Sequence, residues 1–131
     1  MPAERAVTAD KPLSYGLPPE ARLRDAREFL SIKKEGRRLV VSHLIANWRD
    51  LPAGSRSRLG LITSRKIGNA VVRSRARRWM REAFRLHQHD LLQPVAMVLI
   101  ARPSMAGKNY AEVERDYLNI LKRARLLKSS P

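Results

Sequence analysis

Between Arg65 and Arg85 the chain places Arg65, Lys66, Arg73, Arg75, Arg77, Arg78, Arg81 and Arg85 against a single acid, Glu82. At about 100° per residue, a helix over this stretch gathers Val72, Ala76, Trp79, Met80, Ala83 and Leu86 on one arc. Arg73, Arg77, Arg78, Arg81 and Arg85 fall on another. An arginine face is an ordinary solvated surface when acids are interleaved, because i,i+4 pairs neutralise it. Here acids are nearly absent, like charges repel, and the face calls for an external polyanion. Arginine suits phosphate, since its planar fork donates two hydrogen bonds to one group. Gly68 and Asn69 lead into the helix, where unsatisfied N–H groups also bind phosphate. The alternative for Gly68 is a turn with an unusual backbone angle.

Residues for bond-making chemistry are not gathered in the same way. With no Cys there is no thiol nucleophile, thiolate zinc site or disulfide framework. Glu112, Glu114 and Asp116 lie close together, but a helix N-terminus with solvent-exposed acids accounts for them. A metal nuclease needs carboxylates converging from several elements, and no such pattern stands out. His87 and His89, two apart on a helix, point in different directions and do not chelate together. His near a helix C-terminus meets the negative dipole end instead. His43, in an apolar stretch, reads as structural. No catalytic residue and no protein-held metal is assigned.

The elements that position the basic stretch follow from pattern. A chain of 131 residues is expected to form one domain with a core that needs no staples. The 27 Lys+Arg against 12 Asp+Glu give a net charge of +15, again pointing to a polyanionic partner. The opening MPAERAVTADKP carries no apolar run, and no stretch approaches a membrane span, so a cytoplasmic protein is expected. Residues 1–19, proline-rich and without period, read as a flexible arm, and 128–131 as a frayed tail around a domain at 20–127. A first helix is expected over Asp25–Glu35, with Asp25 and Glu28 at capping-box spacing and Gly36 as its stop. Leu39–Trp48 reads as one bent strand or two short ones, Arg58–Ser64 as a strand, and Val95–Arg102 as a buried strand. Trp48 reads as a hydrophobic cap on the sheet or a stacking ring. The basic helix is expected to end near His89. A last helix, capped by Asn109 and Glu112, carries Tyr110, Val113, Tyr117, Ile120, Leu121 and Ala124 on one stripe. This order implies helices packed on one sheet, α+β or α/β.

The strand–basic helix–strand block resembles the protein subunit of bacterial ribonuclease P. That family's pattern S-x-K-x-G-x-A-V-x-R-N-R-x-K-R-x-x-R-E is met by Ser64, Lys66, Gly68, Ala70, Val71, Arg73, Arg75, Arg77, Arg78, Arg81 and Glu82. Ser74 stands in place of the pattern's Asn, with a shorter reach and fewer donors. The apolar strand ends Ile100-Ala101-Arg102-Pro103, and Arg27-Glu28-Phe29 followed by Gly36 is similar to the family's first helix. The resemblance runs from about Leu23 to Leu127. The family often carries an aromatic residue where this chain has Lys33.

The resemblance implies an α+β fold: a small mixed sheet with three helices, similar to the second domain of a small-subunit ribosomal protein, with a left-handed crossover. It implies a ribozyme subunit that binds the ribonuclease P RNA and the 5′ leader of precursor tRNA while the RNA hydrolyses the phosphodiester. Mg2+ is then held mainly by that RNA and none by the protein alone. Arg65, Lys66, Asn69, Arg73, Ser74, Arg75, Arg77, Arg78 and Arg81 are the candidate contacts to structured RNA, recognised through shape and backbone. Phe29 and Lys33 are the candidates for the leader, one stacking on a base and the other meeting a phosphate; ordinary core packing is the alternative for Phe29. A ribosomal or chaperone-type RNA-binding protein on the same fold is the competing function. Major-groove DNA binding is disfavoured, because a strand rather than a helix precedes the arginine helix. No DNA and no membrane partner is expected.

Overall fold

The computed structural model describes residues 16–128, so most of the expected arm and all but Lys128 of the expected tail lie outside the described residues. Helix α1 (Ala26–Glu35) starts where the Asp25 carboxylate accepts the Arg27 N–H at 2.9 Å. Strands β1 (Arg37–Val41) and β2 (Leu44–Asp50) form a hairpin, and β3 (Arg58–Ile62) follows the Pro52–Gly54 turn region. Helix α2 (Ala70–Leu86), strand β4 (Val95–Ala101) and helix α3 (Tyr110–Arg123) complete the fold. The expected Asn109–Glu112 capping box of α3 is fully formed: each side chain bonds the other residue's backbone N–H.

The sheet order is β1-β2-β4-β3, antiparallel except for the β3–β4 pair, which is parallel and joined through α2. Period-two alternation divides β4 between the two sheet faces. Val95, Met97, Leu99 and Ala101 join the large core built with α2 and α3, whereas Ala96 and Val98 pack with Leu23 and Ile32 beneath α1. Cover on both faces explains why β4 reads as an unbroken apolar run. Six of its seven residues are buried, each large side chain being worth about 1.5–3 kcal/mol on transfer from water.

The expectations for Glu28, the end of the basic helix, Leu86 and Trp48 are corrected, while Gly36 stops α1 as expected. Glu28 does not close a capping box with Asp25; its carboxylate pairs with the Arg58 guanidinium on β3, which also donates to the Arg22 carbonyl at 3.1 Å. Gly36 stops α1 without a left-handed turn (φ −91°). Its missing side chain matters because a Cβ there would lie 2.3 Å from the Trp48 carbonyl oxygen. The basic helix ends at Leu86, with His87 as its cap and a separate 3-10 turn at Gln88–Asp90. Its buried stripe is Ala76, Met80, Ala83 and Phe84, while Leu86, expected inside, is 39% exposed. Trp48 is a core residue, with the Arg37 guanidinium 5.3 Å from its ring centroid. At the far end, the Lys128 N–H donates to the Asp90 carbonyl at 2.7 Å.

Candidate RNA interface

The approach to α2 is built from its backbone. A 3-10 turn at Arg65–Ile67 buries Ile67 and leaves Arg65 and Lys66 exposed. Gly68 then takes φ 150°, a conformation that side chains avoid. The Asn69 side-chain oxygen accepts the Val72 N–H at 3.0 Å, so this candidate contact serves first as the helix cap. Its amide NH2 remains a donor beside the two cations.

The arginines of α2 occupy two zones rather than one. Arg73, Arg77 and Arg81 follow at i,i+4 steps along the flank that faces β3, and all three are half-buried. Arg73 donates to the Gly68 carbonyl and Arg77 to the Thr63 hydroxyl, each at 2.8 Å. Ser74, Arg75 and Arg78 are exposed, and no acid of the described residues pairs with either arginine. Arg85 is different. It makes two 2.7 Å bonds to Glu82, which hold the Glu82 carboxyl below the usual carboxylate range, aided by the charges of Arg81 and Arg78. The one acid of the stretch therefore cancels Arg85 and leaves the outer face cationic.

A second feature lies on the opposite face of the sheet. Phe29 and Lys33, four apart, share one flank of α1. Strand register aligns Gly60, Val98, Asn47 and Arg38 in one row, and Ile62, Ile100, Ile45 and Val40 in the next. Phe29 touches Gly60 in the first row. The second row is left open beside α1: Val40 is 43% and Ile62 38% exposed, with Ile45 and Ile100 half-buried. The result is a groove with an apolar floor and an aromatic residue half-buried in its wall, with the exposed Lys33 one helical turn further along α1. Sequence reasoning named Phe29 and Lys33 but not the floor, which exists only through the register of four strands. A cleft of about 330 Å³ at the β3 edge, lined by Phe29, Gly60, Leu61, Arg77 and Arg81 among others, joins this groove to α2.

Asp116, Glu112, Glu114, His43 and His87 hold the scaffold. Asp116 is buried and accepts the His43 N–H at 3.1 Å, and the His43 ring bonds the Ser104 hydroxyl at 2.9 Å. Glu112 caps α3. Glu114 accepts from the Tyr110 hydroxyl at 3.2 Å and contacts the His87 ring at 2.8 Å. Glu112 makes the cap expected of it, whereas Glu114 and Asp116, expected to be solvated, each have a protein partner instead. Among the described residues, no three His, Asp or Glu side chains come together as metal ligands, and no helix is long and apolar enough to cross a membrane.

A cationic helix carried on a mixed sheet, with an aromatic-walled groove on the opposite face, defines an RNA-binding protein of the α+β class. The family model described as ribonuclease P matches residues 17–125. The chain belongs to the ribonuclease P protein family and serves as a protein subunit of that ribonucleoprotein endonuclease. The ribonuclease P protein component of Desulfovibrio desulfuricans is 38% identical over 113 residues, which cover 83% of this chain and 86% of the relative. That of Syntrophomonas wolfei is 35% identical over 107 residues, covering 82% and 89%. The solved RNase P protein from Thermotoga maritima superposes with a TM-score of 0.69 at 34% identity, over 78% of this chain and 96% of that one. The Staphylococcus aureus RNase P protein gives 0.75 at 24% identity, over 82% and 98%, a likeness of fold. A ribosomal or chaperone-type role is not favoured by these relationships.

Proposed function

We propose that the chain binds the ribonuclease P RNA through Arg65, Lys66, Asn69, Ser74, Arg75 and Arg78, with Arg73, Arg77 and Arg81 on the inner flank. The single-stranded 5′ leader of precursor tRNA lies in the groove beside Phe29 and Lys33. The observation that carries this reading is the separation of the two features on opposite faces of one sheet, bridged at the β3 edge. Two RNA segments can be gripped at once without competing for the same side chains. The protein then acts by positioning: arginines neutralise phosphates, the apolar floor accepts unstacked bases, and Lys33 fixes the strand's backbone. Lowered charge repulsion between two RNAs makes the complex less dependent on added cations. Phosphodiester hydrolysis and the Mg2+ it uses belong to the RNA, in the cytoplasm.

Reconstitution tests this. Protein, the matching ribonuclease P RNA and a precursor tRNA are combined at low Mg2+, with each macromolecule alone as control. Leader release that needs both RNA and protein is the expected result. Robust cleavage by nuclease-free protein without the RNA would remove the reading.

A further inference from the structure

On the flank of α2 away from β3, the helix and α3 leave a cleft of about 290 Å³ lined by Arg75, Arg78, Trp79, Glu82, Leu86 and Tyr110. Ligand pockets run from roughly 300 to 1,000 Å³, so this one has room for a single flat ring and not for a large ligand. Its walls are unusual for the chain. The aromatic residues are few, yet an indole and a phenol meet here, both half-buried rather than enclosed in the core. Leu86 is 39% exposed in the same place. Arg75 and Arg78 stand at the rim, exposed and without an acidic partner among the described residues. Glu82 is the single acid, and its two oxygens are already held by Arg85. The Tyr110 hydroxyl is committed to Glu114, which fixes the ring at the first turn of α3.

Aromatic rings and guanidinium groups lining one cleft match the two halves of a nucleotide. A base has a π-face that stacks on any aromatic ring, and its phosphate meets arginine. A protein partner with an acidic apolar helix has the same charge sign, but the cleft is short and continuous with the outer arginine surface, which favours the RNA that this surface binds. We propose that this cleft receives one unpaired base of the ribonuclease P RNA, stacked on Trp79 against Tyr110, with its flanking phosphates on Arg75 and Arg78. The proposal rests on the assignment of that RNA to the outer face of α2. It adds a base-stacking contact to a surface that otherwise meets the RNA through charge, shape and backbone.

The test uses the full chain and full-length ribonuclease P RNA at several salt concentrations. Trp79→Leu keeps an apolar side chain and removes the π-face. It is expected to weaken affinity roughly five- to 150-fold, the range of one lost base stack, with the salt slope unchanged because no phosphate contact is lost. Trp79→Phe should recover most of the affinity. Arg75→Ala should do the reverse of Trp79→Leu and flatten the salt slope. Tryptophan fluorescence supplies a second readout, independent of the affinity measurement. The RNA should quench wild-type emission, and the quenching should largely vanish in Trp79→Phe, where only the buried Trp48 reports. Equal fractional quenching in wild type and Trp79→Phe, or unchanged RNA affinity in a folded Trp79→Leu protein, would overturn the proposal. So would a loss confined to precursor tRNA, which would make that RNA the occupant. Failure of the wild-type protein to bind ribonuclease P RNA at all would instead count against the underlying functional assignment.

Discussion

The ring of Phe29 rests on the backbone of Gly60: a methyl group at position 60 would fall 2.5 Å from Phe29 Cζ and 3.3 Å from Leu23 Cβ. The glycine on β3 is therefore what allows α1 to bring an aromatic residue down to the sheet at the groove wall. Gly60→Ala is expected to push the ring outward and to cost about 1–3 kcal/mol, the usual range for overpacking. A thermal melt gives the stability loss. The ratio of affinities for leader-bearing and leaderless tRNA gives the functional one, and it should fall. An unchanged ratio in a folded Gly60→Ala protein would remove Phe29 from the leader site.

Phe29 and Lys33 can be tested directly. Phe29→Leu keeps most of the apolar volume and loses the stacking surface, at a cost of about 1–3 kcal/mol in leader affinity. Lys33→Ala removes one phosphate contact and should lower the salt dependence of leader binding. Both should leave affinity for the ribonuclease P RNA nearly intact, since neither side chain lies on α2. Equal losses with leader-bearing and leaderless substrates would leave Phe29 as a packing residue and Lys33 as a surface charge.

The two arginine zones of α2 make different predictions. Arg75→Ala and Arg78→Ala should leave the melting temperature close to wild type, because these side chains touch no acid of the described residues and alanine favours helix. Each should reduce the salt slope of RNA binding by about one. Arg73→Ala and Arg77→Ala should show the same binding loss plus a stability loss of about 0.5–1.5 kcal/mol, from the bonds to Gly68 and Thr63. Identical stability across all four variants would contradict this division.

That division also shows where the sequence stops being readable. The strand–basic helix–strand order, the β4 run and the Asn109–Glu112 cap were visible because each is encoded by neighbours in the chain. The split between Arg73 and Arg75 was not, since a helical projection gives angles without saying where the sheet edge lies. Phe84 escaped for a related reason: it sits at the border of the apolar arc, among arginines, and only the packed core shows that it is buried. Glu28 had the spacing of a capping residue, and a cation thirty positions later on β3 took it. The groove floor of Val40, Ile45, Ile100 and Ile62 comes from four strands whose register no single segment specifies.

His87 provides a pH signature for the docking of α2 on α3. Its ring contacts Asp90 through Nδ1 at 3.0 Å and Glu114 through Nε2 at 2.8 Å. A neutral imidazole has one N–H and can donate to only one of these carboxylates, whereas the imidazolium donates to both. Burial by itself lowers the pKa of the ring, but the hydrogen bonds and charges of Glu114 and Asp90 outweigh it and raise the value above the ordinary 6.5. Tyr110, which shares Glu114, has its phenol pushed up to about 12 and stays protonated over the neutral range. Because the folded-state pKa of His87 exceeds the unfolded one, its stabilisation is complete below about pH 6.5 and is lost as pH rises through the folded value. Wild-type protein should therefore melt progressively lower between about pH 6 and pH 9, while His87→Ala, already less stable at pH 6, should change less. The two curves should converge at the alkaline end. Measuring both melts from pH 5.5 upward keeps the carboxylates ionised and isolates the imidazole. Parallel curves across the whole range would mean that the ring packs between α2 and α3 as a neutral group and carries no charge-dependent part of their contact.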